Sequence, residues 1–187
     1  MNSGSLHDAS WLVTDRLVGA SQGAFAFGNL AVHVGDDPDA VADNRTALAH
    51  RIGVPQVVFT RAAHSNRVVH VERIVADVPD SDGLLTDRPD LAIAAQGADC
   101  AMIGIATADG WIAAVHCGWQ GLASGVVTSA LAGMAAAGSR LDAPQAHVGP
   151  TICARCYPVD PDRAAQVEAV APGAVVADDA GYAVDLR

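Results

Sequence analysis

The sequence predicts an α+β protein built on a mixed sheet. Three observations carry that prediction. Short β-branched or apolar runs of strand length recur through the chain, a few segments have helical length with helical end signals, and the two kinds lack the regular strand–helix–strand rhythm of a doubly wound nucleotide fold. At 187 residues, 51% of them hydrophobic, the chain can bury one sizeable core, which predicts one domain over residues 1–187.

From Trp11 to Val34 short apolar stretches alternate with Gly19, Gly23 and Gly28, a pattern that suits strands and turns. Asp36-Asp37-Pro38 offers a cap with proline in the first turn, and Val41, Leu48 and Ile52 share one helical face up to Gly53, so a helix is predicted from Pro38 to Arg51. Val54 to Thr60 and Val68 to Val75 are β-branched and apolar. Together with the runs Leu91 to Ala95, Ala101 to Ile105 and Ile112 to Val115 they predict the sheet core. Gly118 to Gly121 predicts a turn, and Leu122 to Ala137 a buried helix stopped by Gly138. Ala146 to Gly149 is expected as a strand and Pro161 to Val170 as a helix. No repeat or low-complexity linker interrupts the chain.

A formal charge of −10 and a pI near 4.8 argue against a phosphate-backbone binder, which needs Lys and Arg to neutralise phosphates. The chain has no lysine, which excludes a phosphate-loop lysine, a Schiff-base lysine and a lysine general base. The first ten residues lack a basic and an apolar region, and no apolar run approaches the roughly 20 residues of a membrane span, so a soluble cytoplasmic protein without membrane or nucleic-acid partners is expected. In that setting Cys100, Cys117, Cys153 and Cys156 are expected as free thiols or metal ligands, not a disulfide framework.

Three strings could carry chemistry. Gly19-Ala20-Ser21-Gln22-Gly23 fits the G-x-S-x-G pattern, yet a nucleophile elbow needs a strand before the serine and a helix directly after it, and a glycine-interrupted stretch follows here. His70-Val71-Glu72 with Cys153-Ala154-Arg155-Cys156 partly matches the H-x-E…P-C-x-x-C signature of zinc deaminases, but His70 and Glu72 lie in a β-branched stretch and Pro150 is displaced from Cys153. Buried or redox-idle thiols are the plain alternative for that cysteine pair. The third set is His64, Cys100 and His116, each at the end of an apolar run. Two imidazoles and a thiolate suit zinc, and three protein ligands with a fourth position open is the catalytic pattern. Convergence of the three does not follow from spacing. Cys117, beside His116, is expected in the apolar core.

At these same residues the sequence resembles the YfiH family, the multicopper polyphenol oxidase or laccase-domain family. The likeness runs through Asn29-Leu30, His33-Val34-Gly35-Asp36-Asp37-Pro38 and Asn44-Arg45 to Ser81-Asp82-Gly83-Leu84-Leu85-Thr86. It continues in Ala98-Asp99-Cys100, Val115-His116-Cys117-Gly118-Trp119, and Gly149-Pro150 to Cys156-Tyr157.

The resemblance implies a single-domain mixed-sheet α/β sandwich in which His64, Cys100 and His116 hold zinc. It also implies phosphorolysis of adenosine, inosine and methylthioadenosine, with adenosine deamination as a second reaction. The partners it implies are a purine nucleoside and phosphate. Phosphorolysis requires an anion site, for which Arg61, Arg67 and backbone N–H groups after Gly121 are the candidates. Asp99 is the candidate proton carrier or partner to a histidine ligand. Older assignments of the family imply copper with phenol oxidation, or editing of peptidoglycan precursors. A catalytically decayed, metal-stabilised binding domain is the non-enzymatic alternative. Three departures bear on this: Ala62-Ala63-His64-Ser65 stands for the family's Q-V-H-G, Gln120 for the arginine of G-W-R-G, and the sequence stops at Arg187 where the family's C-terminal segment is expected.

Overall fold

Strands far apart in sequence meet in one central sheet. The computed structural model describes residues 1–75, 77–179 and 181–187. In chain order the elements are β1 (Asn2–Leu6), β2 (Ala9–Val13), α1 (Pro38–Ile52), β3 (Val57–Arg61), β4 (Val68–His70) and β5 (Val78–Pro79). There follow β6 (Gly83–Thr86), β7 (Ala92–Ala94), β8 (Ala101–Ala106), β9 (Ile112–Cys117), α2 (Trp119–Ala123), α3 (Val126–Ala137) and β10 (Gln145–Val148). The last are β11 (Pro158–Val159), α4 (Pro161–Val170), β12 (Val175–Asp178) and β13 (Gly181–Val184).

The central sheet has the order β10-β8-β9-β6-β4 and is antiparallel except where β4 runs parallel to β6. A second sheet, β5-β3-β7, is parallel. This is the mixed-sheet α+β architecture that the sequence predicts. Strand β6 is buried on both faces. Its alternation sends Leu85 into a core with Trp111, Val115 and the α3 residues Val126, Ala130 and Met134, while Leu84 joins Val58, Val71 and Leu91 on the other side. Val126, Ala130 and Met134 recur every four residues, so one stripe of α3 faces the sheet. Full burial of a side chain such as Met134 or Leu84 stabilises the fold by about 1.5–3 kcal/mol each.

Helix α1 starts where Asp37 accepts the Asp39 N–H and Pro38 enters the first turn, and it stops at Gly53. It positions Asn44 and Arg45. Asn44, almost fully buried, accepts the Ala20 N–H at 2.7 Å and donates to Ser21 Oγ and to the Phe27 and Asn29 carbonyls at 2.9–3.1 Å. Arg45 binds the Leu30 carbonyl, makes a two-pronged pair with Asp77 at 2.6 and 3.1 Å, and lies 4.2 Å over the Phe59 ring. The irregular stretch between β2 and α1 is held in place by these two side chains. Replacing Asn44 with Ala strands the Ala20 N–H, the Phe27 and Asn29 carbonyls and the buried Ser21 hydroxyl, and a loss of about 2 kcal/mol in urea unfolding is expected.

The structure departs from the predicted elements in several places: the strand expected from Val68 to Val75 ends at His70, and β5, β6 and β11 to β13 were not expected. Residues 14–34 contain no strand, only a short 3-10 turn at Gly23–Phe25, because their polar groups bond to Asn44 and Arg16 instead of to a ladder. Strands β1 and β2 form an N-terminal hairpin that begins before the first predicted element. The segment predicted as a turn at 118–121 begins helix α2, capped at Gly118. The predicted helix from Leu122 to Ala137 is broken at Gly125, whose φ of +78° is left-handed, so α2 and α3 are separate. Helix α4 has the predicted bounds, opened by Asp160 accepting the Arg163 N–H at 2.9 Å.

Candidate metal centre

The fold brings His64, Cys100 and His116 together. Their candidate ligand atoms all lie within 4.8 Å of one another, and among the described residues they form the group of His, Cys and acidic side chains suited to hold a metal. Each comes from a strand end. His64 follows β3, Cys100 precedes β8, and His116 sits near the end of β9; the pairing of Met102 with His116 and of Ala101 with Cys117 puts Cys100 beside His116. The two imidazoles meet edge to face at 4.9 Å. His64 is exposed and has a φ of +57°, a conformation that non-glycine residues rarely hold without surrounding constraint.

Asp82 supplies that constraint. It is fully buried at the start of β6, and its carboxylate accepts the backbone N–H groups of Ala63, His64 and Ser65 at 3.2, 2.9 and 2.8 Å and the Ser65 hydroxyl at 2.7 Å. The same carboxylate receives His116 Nδ1 at 2.9 Å. One acid therefore shapes the turn that presents His64 and orients the His116 ring, leaving Nε2 for a ligand. Burial pushes the Asp82 carboxyl upward, but the Ser65 N–H and hydroxyl, the His116 ring and the Ala63 N–H outweigh it and hold it below its ordinary value. Burial lowers His116, and Asp82 only partly opposes this, which favours the neutral ring that can donate a lone pair.

Sequence reasoning quoted Asp82 only within a motif and assigned it no role. The available signal was an acid heading a run, Gly83-Leu84-Leu85-Thr86, that is otherwise free of charge. The departure at residue 65 also has a physical reading. Where the family's glycine has no side chain, Ser65 gives Asp82 an additional donor.

The donor chemistry fits a borderline-soft divalent ion. Burial and then the charges of Asp99 and Asp82 push the Cys100 thiol up, so the thiolate lies in a field that a cation would offset. Gly118 lies against the set: a Cβ there would stand 2.8 Å from Cys100 Sγ and 3.3 Å from His64 Cδ2. His64, Cys100 and His116 would be the residues to hold such an ion, which would supply Lewis acidity beside them. His64 also lines a cleft of about 460 Å³ with Ser65, Trp119, Gln120 and Gln166. A second cavity of about 490 Å³, beside His70, Glu72 and Arg73, contains none of the three ligands.

The other sequence candidates are placed as follows. Asp99 is exposed next to Cys100, and its carbonyl accepts Thr151 Oγ1 at 2.6 Å and the Ile152 N–H at 2.9 Å. Arg61 is exposed at the end of β3. Arg67 donates through Nη1 to the Pro79 and Asp80 carbonyls at 2.7 and 3.1 Å, which ties one end of its guanidinium to the backbone. The helix start expected after Gly121 lies earlier, at Trp119, and Gln120 is exposed on it. The Arg163 guanidinium of α4 lies 5.0 Å over the Trp119 ring. Ser21 is buried and bonded to Asn44, without the geometry of a nucleophile elbow. His70 packs on the Trp111 ring and, among the described residues, joins no ligand group with Cys153 or Cys156. Cys117 belongs to the core, where burial pushes its thiol up to about 11.

A mixed-sheet α+β domain that gathers two histidines and a cysteine beside an open cleft defines a class of candidate metalloprotein. The model of the family described as multi-copper polyphenol oxidoreductase laccase matches residues 10–187. The chain belongs to that family. It is 42% identical over 182 residues to a protein of Mycobacterium tuberculosis named purine nucleoside phosphorylase, covering 94% of this chain and 72% of the relative. A Streptomyces griseus protein of the same name is 37% identical over 177 residues, with 91% and 71% covered. Among solved structures, a Neisseria meningitidis protein of the DUF152 family superposes with a TM-score of 0.80 at 31% identity, over 90% of this chain and 70% of the other. The YfiH protein of Bacillus licheniformis gives 0.81 at 27% identity, with the same coverage. Among the described residues no helix is long and apolar enough to cross a membrane.

Proposed function

We propose that this chain is a zinc-dependent purine nucleoside phosphorylase, acting on adenosine, inosine and methylthioadenosine, with adenosine deamination as a second activity. The observation that carries the reading is the joint placement of His64: it belongs to the three-ligand set and also lines the cleft. The relatives' names give the reaction class. Zinc held by His64, Cys100 and His116 supplies Lewis acidity near neutral pH.

The chain's own residues divide the remaining work. Trp119 lines the cleft, and the Gln120 and Gln166 amides beside it offer donors and acceptors to a purine edge. Phosphate attack at the anomeric carbon breaks the bond to the base nitrogen, so the site must hold an anion and deliver a proton to the leaving base. Arg61 is the better anion candidate of the two arginines named from sequence, because one end of the Arg67 guanidinium is tied to the Pro79 and Asp80 carbonyls. Asp99, exposed beside Cys100, is the candidate proton carrier.

The test compares metal-loaded protein in phosphate with the same protein in phosphate-free buffer. Adenine and ribose 1-phosphate are expected from adenosine only with phosphate present, and inosine from adenosine in both. Metal binding without nucleoside turnover in either buffer would overturn the enzymatic reading in favour of a metal-stabilised binding domain. The family description favours copper as the rival metal, with oxygen consumption on a phenol as its signature. Oxidation through several coppers needs more histidine ligands than the set gathered among the described residues.

A further inference from the structure

The cysteine pair Cys153 and Cys156 takes no part in the metal set. Both are exposed, unlike Cys117 and the half-buried Cys100. A 3-10 turn over Ala154–Cys156 joins them, closed by the Cys156 N–H donating to the Cys153 carbonyl at 2.9 Å. A turn of this kind holds its first and fourth Cα atoms within about 7 Å, which overlaps the roughly 4.4–6.8 Å span of disulfides.

We propose that Cys153 and Cys156 form a reversible dithiol–disulfide site, in which Cys153 attacks a small-molecule disulfide and Cys156 resolves the adduct. The asymmetry follows from the surroundings. The N–H groups of Cys156 and Arg155 and the Arg155 charge favour the Cys153 thiolate, whereas the Cys156 thiol is raised by the charge of its neighbour.

The exchange balances in two steps. The Cys153 thiolate bonds to one sulfur of the disulfide R–S–S–R, and the S–S bond breaks to release one thiolate. Cys156 then gives up its proton, bonds to the Cys153 sulfur and expels the second thiolate. Two electrons pass from the cysteine pair to the small disulfide, and the two cysteine protons end on the released thiols. The site sits on the segment that grips the metal wall, since Thr151 and Ile152 both bond the Asp99 carbonyl beside Cys100.

Arg155 between the cysteines makes the product easy to read, because trypsin cleaves after it and only a disulfide keeps the two peptides together. The full chain, reduced and freed of reductant, is incubated with oxidised glutathione, alkylated, and digested without reduction. The expected result is a cross-linked pair of peptides, one ending at Arg155 and one beginning at Cys156, which separates on adding dithiothreitol. In C156S a glutathione adduct should accumulate on Cys153, and in C153S adduct formation at Cys156 should be several-fold slower than that. Single glutathione adducts without a cross-link in the wild type would overturn the proposal, as would equal adduct rates in the two variants.

Discussion

Replacing Asp82 with Ala is expected to damage the fold and the metal set together. The carboxylate is buried and bonds the Ala63, His64 and Ser65 N–H groups, the Ser65 hydroxyl and the His116 ring. Removing it leaves these donors in a cavity without partners, and loss of a buried network partner costs about 3–5 kcal/mol. The positive φ of His64 then loses the bond to its own N–H, and His116 loses the contact that selects its tautomer. Partners of this kind are worth about 10–100-fold in metal affinity. Urea unfolding and zinc competition with a chelator check the two effects separately. The conservative variant Asp82→Asn should recover packing volume, but its amide N–H₂ faces other donors, so affinity should stay low.

Gly118→Ala is the complementary prediction, in which the fold is spared and the metal set is not. Gly118 has an extended backbone with φ −83° and caps α2, so alanine meets no conformational barrier there. The added Cβ would lie 2.8 Å from Cys100 Sγ, closer than such contacts occur, and 3.3 Å from the His64 ring. Either the thiol or the start of α2 must move. Zinc affinity should fall by at least about 10-fold, the range expected when a ligand's immediate support is lost, with a much smaller change in the urea midpoint than Asp82→Ala gives. An unfolded Gly118→Ala protein, or one with unchanged zinc affinity, would contradict this geometry.

The helices with end signals were legible in the sequence. Asp160-Pro161 and Asp37-Pro38 open α4 and α1 because a side-chain acceptor and a proline suit a helix start whatever surrounds them. Strand β6 was not legible as a strand. Its four residues bury both faces, so Leu84 and Leu85 show no alternation of polar and apolar, although they fill two different cores. The break at Gly125 was missed although Ser124-Gly125 signals it: the run from Leu122 to Ala137 reads as one helix, and the left-handed φ of Gly125 separates α2 from α3.

The site divides in the same way. His64, Cys100 and His116 stand out as unusual residue types at the ends of apolar runs, yet their meeting depends on the β8–β9 register and on the turn after β3, which spacing cannot supply. Asp82 is 18 residues from His64 and 34 from His116, and its role exists only once β6 lies beside β9. Asn44 and Arg45 likewise acquire a reason from the structure, because they pin residues 20–30 and Asp77 across the fold.

In the proposed function His64, Cys100 and His116 hold one zinc. Elemental analysis of the purified protein, beside His64→Ala, Cys100→Ser and His116→Ala, tests it most directly. About one zinc per chain is expected in the parent protein, as a single set of three ligands requires, with loss of it in each variant while circular dichroism shows the fold retained. Folded parent protein without zinc, or zinc that survives all three substitutions, would contradict it.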